Sequence, residues 1–182
     1  MRLVFIRHGQ TPSNILIRYN GQMDEDINET GIKQAEELAK TLEDVKFDKI
    51  YASPLLRAKH TCQIVNKNNQ EVIYDDRLKE RTLGKLDGTD IGKSDYNVAM
   101  HLNYYYDHKK EDIENLKDFF ARVHSFIDDV IEENGKDDTI LIATHGGVMR
   151  AAYFYFEELP EDGDVSFFKA QNCEINVYDI IK

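Results

Sequence analysis

Two short runs of this sequence lack a polar face, and both stop at a histidine followed by glycine. Leu3-Val4-Phe5-Ile6 ends at Arg7-His8-Gly9, and Thr139-Ile140-Leu141-Ile142-Ala143 ends at Thr144-His145-Gly146-Gly147. A strand with one face in water alternates apolar and polar residues, whereas an apolar run is covered on both sides. Parallel neighbours need a crossover connection, usually a helix, and those helices supply the cover. The runs therefore predict an α/β protein: a three-layer sandwich with a mostly parallel central sheet flanked by helices.

The intervening segments fit that alternation. Asn28-Glu29-Thr30-Gly31 precedes Ile32, Ala35, Leu38, Ala39 and Leu42 at helical spacing, which predicts a helix over 30–44 with Asn28 or Thr30 as its cap. Lys49 to Ala52 reads as a short strand ending at Ser53. The next helix has Pro54 in its first turn and Leu55, Ala58, Cys62 and Val65 on one face. Val72-Ile73-Tyr74 is another short strand. Residues 93–108 read as a weakly patterned helix, and 112–133 as a strongly periodic one that stops at Asn134-Gly135. A helix through Met149 to Phe156 and a strand from Cys173 to Ile181 close the chain. At 182 residues, with no repeat and no linker, a single domain over 1–182 is expected.

Ligands of open α/β sheets bind beyond the carboxyl ends of the strands. Three of the predicted strands end at His8, Ser53 and His145, and Arg57 follows one turn into a helix. The topology thus gathers basic residues on one edge of a chain whose net charge is −11, from 34 acids and 23 bases. Such a surface repels nucleic acid and anionic membranes, which are excluded as partners. An anionic ligand would need a local cationic pocket. Cys62 and Cys173 have no metal-ligand spacing and read as reduced thiols. The apolar run at the N-terminus is shorter than the ~7–15 residues of a signal-peptide core. No stretch approaches the ~18 apolar residues of a membrane span. The expected location is the cytoplasm.

The chemistry sits in three clusters. In Arg7-His8-Gly9-Gln10-Thr11-Pro12-Ser13-Asn14, glycine lets backbone approach a ligand, and the amides and the Ser, Thr and Asn side chains can donate to phosphate oxygens. Thr144-His145-Gly146-Gly147 repeats the design. Ser53-Pro54-Leu55-Leu56-Arg57-Ala58 adds a guanidinium able to fork two phosphate oxygens. Together Arg7, His8, Arg57 and His145 make a costly like-charge cluster unless an anion fills it.

These residues carry a resemblance. Leu3 to Thr11 is similar to the signature of the histidine phosphatase family, which includes the cofactor-dependent phosphoglycerate mutases. Four further blocks follow in order: Asn20-Gly21 with Asp24 and Asn28 to Ala35; Ser53 to Thr61; Arg77-Leu78-Lys79-Glu80 with Gly84 and Asp87-Gly88; and His145-Gly146-Gly147. The resemblance implies a phosphoglycerate mutase-like fold with 89–110 as a small variable cap. It implies His8 as nucleophile, Arg7, Arg57 and His145 around the transferring phosphoryl group, and Glu80 as proton donor and acceptor. Asn14, Thr11, Gly21, Gly146 and Arg81 are the expected substrate-binding positions. No metal and no cofactor are expected, because the cationic cluster neutralises the phosphoryl charge.

Three positions depart from the family pattern. Glu25-Asp26-Ile27 stands where Pro-Leu usually follows the Asp, Ile113-Glu114-Asn115 replaces a Gly-Glu-Ser, and Leu86 replaces an aromatic residue. His60, His101, His108 and His124 read as packing or surface histidines. Tyr104-Tyr105-Tyr106 reads as helix packing, with a pocket wall as the alternative. The expected activity is a phosphomonoesterase acting on a small phosphorylated metabolite. A mutase or sugar-bisphosphatase is the alternative, since Glu80-Arg81-Thr82-Leu83-Gly84-Lys85-Leu86 resembles the pattern of those branches. A non-catalytic phosphate-binding module is a third reading. The oligomeric state stays open.

Overall fold

The computed structural model describes residues 1–92, 101–107 and 112–181. Strands β1 (Arg2–Arg7), β2 (Lys49–Ala52), β3 (Val72–Tyr74), β4 (Thr139–Thr144) and β5 (Ile175–Asp179) form one five-stranded sheet in the order β3-β2-β4-β1-β5. All neighbours are parallel except β1 and β5. The helices are α1 (Pro12–Ile15), α2 (Glu29–Thr41), α3 (Leu56–Val65), α4 (Leu116–Glu133) and α5 (Gly146–Phe156).

Side chains alternate across the sheet, so each apolar strand feeds two cores. Leu3, Phe5, Ile140, Ile142 and Tyr51 pack with α4 and α5, while Val4, Ile6, Leu141, Ala143, Ile50 and Ala52 pack with α2 and α3. This is the three-layer arrangement expected from strands without a polar face. Helix α4 buries Phe119, Phe120, Val123, Phe126 and Ile127 almost completely. Each such side chain stabilises the fold by roughly 1.5–3 kcal/mol, so α4 is a principal anchor of its layer.

The register sets the functional edge. Arg7 lies opposite Thr144, and Ala52 opposite Ala143. Because β4 sits between β1 and β2, the three strands that end at His8, Ser53 and His145 are immediate neighbours.

Several element boundaries differ from the expectation. Asn28 is the cap of α2, its side chain accepting from Gly31 N at 2.9 Å, and the helix ends at Thr41. Pro54 lies outside α3. Leu55 is the N-cap there, and Asp24 accepts from Leu56 N at 2.8 Å. The periodic segment from 112 does not start a helix, because Asp112 has φ +54° and Asn115 is extended. Ile113 instead packs with Tyr19 and Leu83. Of the helix expected over 93–108, and of the cap, residues 93–100 and 108–110 lie outside the described residues, His108 among them. Residues 102–107 are not helical: Asn103 bridges Asp164, and Tyr104 N donates to Gly163 O at 2.7 Å. Tyr104 packs on Phe120, with ring centroids 5.4 Å apart. No helix among the described residues is long and apolar enough to cross a membrane.

Candidate active site

A cavity of about 430 Å³ opens at the carboxyl edge of the sheet, lined by Arg7, His8, Asn14, Arg57 and Glu80 among others. His8 follows β1 directly. Its Nδ1 donates to Gly9 O at 2.7 Å, which leaves the lone pair on Nε2. Its backbone carbonyl accepts from Asn172 Nδ2 at 3.1 Å and from Cys173 N at 3.3 Å. Burial first, and then the charges of Arg57 and Arg7, hold the imidazole well below the ordinary histidine pKa. The ring is therefore neutral, as a nucleophile must be.

His145 ends β4 and caps α5, with its ring centroid 5.3 Å from that of His8. Burial first, and then the cationic charge of Arg57 and Arg7, also depress its pKa strongly. Its Nε2 lies 2.7 Å from Ser53 Oγ. Arg57 is buried on α3. Nη1 donates to Met23 O and Nη2 to Gly21 O, each at 2.7 Å, and desolvation pulls its pKa down to about 10. Arg7 Nη1 donates to Ala170 O at 2.7 Å. Three buried nitrogens of this group, Arg7 Nε, Arg57 Nε and His145 Nδ1, have no hydrogen-bond partner among the described residues. Buried polar atoms are rarely left so. Arg7 and Arg57 line the cavity, so their unpartnered guanidinium nitrogens are candidate donors to an anion held there.

Glu80 also lines the cavity, between two short 3₁₀ turns at 76–78 and 84–86. Its Oε1 accepts from Arg81 N at 2.8 Å and its Oε2 from Gly147 N at 3.0 Å, at the start of α5. The Glu80 carbonyl accepts from Arg122 Nη2 at 3.2 Å, and Arg122 Nε pairs with Glu114 at 2.7 Å. Glu114 thus braces the loop that carries Glu80.

The expected binding residues divide. Asn14 and Gly146 line the cavity. The Asn14 Oδ1 accepts from Thr11 N and Asn172 Nδ2, which leaves its Nδ2 as the donor available to a ligand. Gly21 also lines the cavity, but its carbonyl serves Arg57. Its φ is +48°, and a Cβ there would stand 1.8 Å from Asp87 Oδ1. Thr11 is fully buried and caps α1 instead of facing a ligand. Arg81 lines the cavity with its guanidinium directed to carbonyls, Nε to Glu114 O at 2.6 Å and Nη1 to His101 O at 2.5 Å. The acidic loop is held by internal hydrogen bonds: Glu25 accepts from Ser13 N and Asn20 Nδ2, and Asp26 lies 2.9 Å from His60 Nδ1. His60 is thus a hydrogen-bond partner of Asp26, and the His124 Nε2 hydrogen-bonds to Ala151 O at 2.9 Å. Among the described residues no three His, Cys, Asp or Glu side chains are grouped to hold a metal ion.

The family model of the histidine phosphatase superfamily (branch 1) matches residues 3–182. This chain belongs to the histidine phosphatase superfamily. It is 32% identical over 173 residues to a protein of Rhizobium meliloti named 2,3-bisphosphoglycerate-dependent phosphoglycerate mutase, covering 88% of this chain and 81% of the relative. It is 30% identical to the metal-independent phosphoserine phosphatase of Arabidopsis thaliana, covering 96% of this chain and 74% of that protein. Among solved structures, a mycobacterial glucosyl-3-phosphoglycerate phosphatase in complex with vanadate superposes with a TM-score of 0.85 at 25% identity, over 97% of this chain and 91% of the other.

Sequence reasoning about this histidine phosphatase gave no role to Ser53, Arg150, Lys169 or Asn172. Ser53 lies inside the block Ser53 to Thr61, and its position at a strand end is the available signal. Arg150 follows His145 by little more than one helical turn, which places both on one end of α5. Lys169 and Asn172 lie in irregular chain, where periodicity carries no information.

Proposed function

We propose that this histidine phosphatase is a phosphomonoesterase that hydrolyses a small phosphorylated metabolite through a phosphohistidine on His8. The observation that carries the reading is the set of three buried, unpartnered donors on Arg7, Arg57 and His145, around a neutral histidine whose Nε2 keeps its lone pair. In the first step Nε2 attacks phosphorus in line. The P–O bond to the leaving group breaks, and the Glu80 carboxyl gives its proton to the departing alkoxide. In the second step water attacks the phosphohistidine and returns a proton to Glu80. Inorganic phosphate leaves and His8 is again neutral. The three donors hold the equatorial oxygens, whose charge would otherwise need a metal, so catalysis proceeds without one. The name of the Arabidopsis relative agrees with that independence.

A mutase shares the first step and differs in the second, where the phosphoryl returns to another hydroxyl. The Rhizobium relative's name and the Glu80-Arg81 to Leu86 pattern favour that reading, while the phosphatase names among the relatives favour hydrolysis. The test is release of inorganic phosphate from aryl and alkyl phosphates, in wild type and His8→Ala. Hydrolysis predicts turnover abolished in the variant and a ³²P adduct on His8 that is acid-labile and base-stable. Chelators should leave the rate unchanged, and vanadate should inhibit. Interconversion of positional phosphate isomers without release would favour the mutase. An acid-stable adduct, or activity persisting in His8→Ala, would overturn both.

A further inference from the structure

A short turn just before β5 is tied to the segment that carries the nucleophile. Glu174 N donates to Gln171 O at 3.1 Å, which closes the turn over residues 171–174. Cys173 occupies its third position with φ +57°, in the left-handed region that favours glycine. Backbone strain of this kind persists where the surroundings impose the geometry, and it concentrates at functional sites. Here the turn sets two donors on one oxygen. Cys173 N donates to the His8 carbonyl at 3.3 Å, and Asn172 Nδ2 donates to the same carbonyl at 3.1 Å.

The other hydrogen of the Asn172 amide goes to Asn14 Oδ1 at 3.1 Å, and Thr11 N donates to that oxygen at 3.1 Å as well. These contacts fix the orientation of both amides. A backbone N–H only donates, so the Asn14 atom facing Thr11 is its oxygen. The Asn172 atom facing His8 O and Asn14 Oδ1 meets two acceptors, so it is the nitrogen. Asn14 lines the cavity with Arg7 and His8, and its Nδ2 is left for a ligand. Turned over, the Asn14 amide would set its nitrogen against two donors and offer its oxygen to an anion. Asn172 does not line the cavity itself, so it acts through the groups that it holds.

We propose that Asn172 is a positioning residue for phosphoryl transfer: it keeps the Asn14 amide turned with Nδ2 toward the phosphoryl group and ties that donor to the backbone of the nucleophile. The proposal rests on the phosphomonoesterase reading above. As phosphorus moves toward His8 Nε2, its equatorial oxygens need donors already in place, and a donor free to turn over loses that advantage.

The test is a double-mutant cycle on nitrophenyl phosphate, with Asn14→Ala, Asn172→Ala and the pair, read as single-turnover loading of His8 beside the Tm of each variant. Asn172→Ala should slow loading by about tenfold. In the Asn14→Ala background the same replacement should slow it by less than about threefold, because no amide remains to be oriented and Cys173 N still holds the His8 carbonyl. Asn172→Asp keeps the side-chain volume but sets a carboxylate against two acceptors, so it should be slower than Asn172→Ala. Run in the same two backgrounds, it keeps the test standing if the alanine variant misfolds. A merely structural role would give a loss that follows Tm and is the same with and without Asn14. That outcome would overturn the proposal, as would wild-type loading in Asn172→Asp or in Asn14→Ala, and phosphatase activity would survive as a reading. Absence of phosphate release from nitrophenyl phosphate by the wild-type protein would instead remove the phosphomonoesterase reading, and this proposal with it.

Discussion

The hydroxyl of Ser53 lies 2.7 Å from Nε2 of His145 and accepts from Leu55 N at 3.3 Å. With its acceptor side engaged by the amide, the hydroxyl has its proton free to give to Nε2. The other ring nitrogen, Nδ1, then carries the hydrogen and can donate to a phosphoryl group. The opposite tautomer would aim a buried lone pair at phosphoryl oxygens, a repulsive arrangement. Ser53→Ala should therefore lower kcat by about tenfold, with a smaller change in KM. Nitrogen NMR of His145 should report the Nδ1-protonated form in wild type and a mixture in the variant. An unchanged tautomer beside a lowered kcat would contradict this account.

Glu80→Gln should separate substrates by leaving group. Alkyl phosphates need a proton on the departing oxygen and should lose about a hundredfold or more in rate. Nitrophenyl phosphate should still load His8 quickly, because its leaving group is stable as an anion. Rapid mixing should show a burst of nitrophenol followed by slow turnover. Equal losses in single-turnover loading for both classes would shift the proton donor to another carboxyl. Glu114 is a poor substitute, being engaged by Arg122.

Gly147→Ala tests the placement of that carboxyl without removing it. A Cβ at 147 would stand 2.1 Å from Glu80 Oε1, so the carboxylate has to move. We expect a kcat loss on alkyl phosphates of about tenfold or more, with Tm much less affected. Full activity in this variant would mean that Glu80 tolerates displacement and is not the proton carrier.

Acid should destabilise the fold through the two site histidines. Burial and the neighbouring arginines hold both His8 and His145 well below their ordinary pKa. The unfolded chain takes up these protons as pH falls through about 6.5, and the folded chain does not. Their contribution is thus fully present above about 6.5 and is lost as pH falls toward the depressed folded values. Thermal midpoints between about pH 7.5 and 5.5 should decline less steeply in His8→Asn than in wild type. Parallel slopes would show that His8 is protonated alike in both states.

The sequence revealed those parts of the site attached to strong periodic patterns. His8 and His145 could be placed because each ends an apolar strand, and strand ends of parallel sheets share one edge. Arg57 followed from its position one turn after Ser53. Glu80 is different. No regular element carries it, and only the family resemblance pointed to it. The structure holds it by contacts distant in sequence, from Gly147, Arg122 and Gln22. The structure shows Thr11 as a helix cap, a role that a hydroxyl after His-Gly suits as well as a ligand contact, and composition does not separate the two. The start of α4 was misjudged for a backbone reason: Ile113 continues the apolar spacing, but the left-handed Asp112 interrupts the helix, and periodicity does not register φ.

The anchoring of the His8 carbonyl by Asn172 and Cys173 has a consequence for biosynthesis. His8 is made long before Asn172 and Cys173, which fix its backbone. Strand β4, which separates β1 from β2, is also added late. A nascent chain that has emerged only through α4 holds His8 after β1 and Arg57 on α3 after β2, two strands not yet joined by β4, and it lacks His145 and Lys169. The cationic cluster cannot assemble around an anion during most of translation. Reactivity toward phosphate esters would therefore arise in one late step, after the chain has left the ribosome through Cys173, and truncated products would be inert without any inhibitory segment.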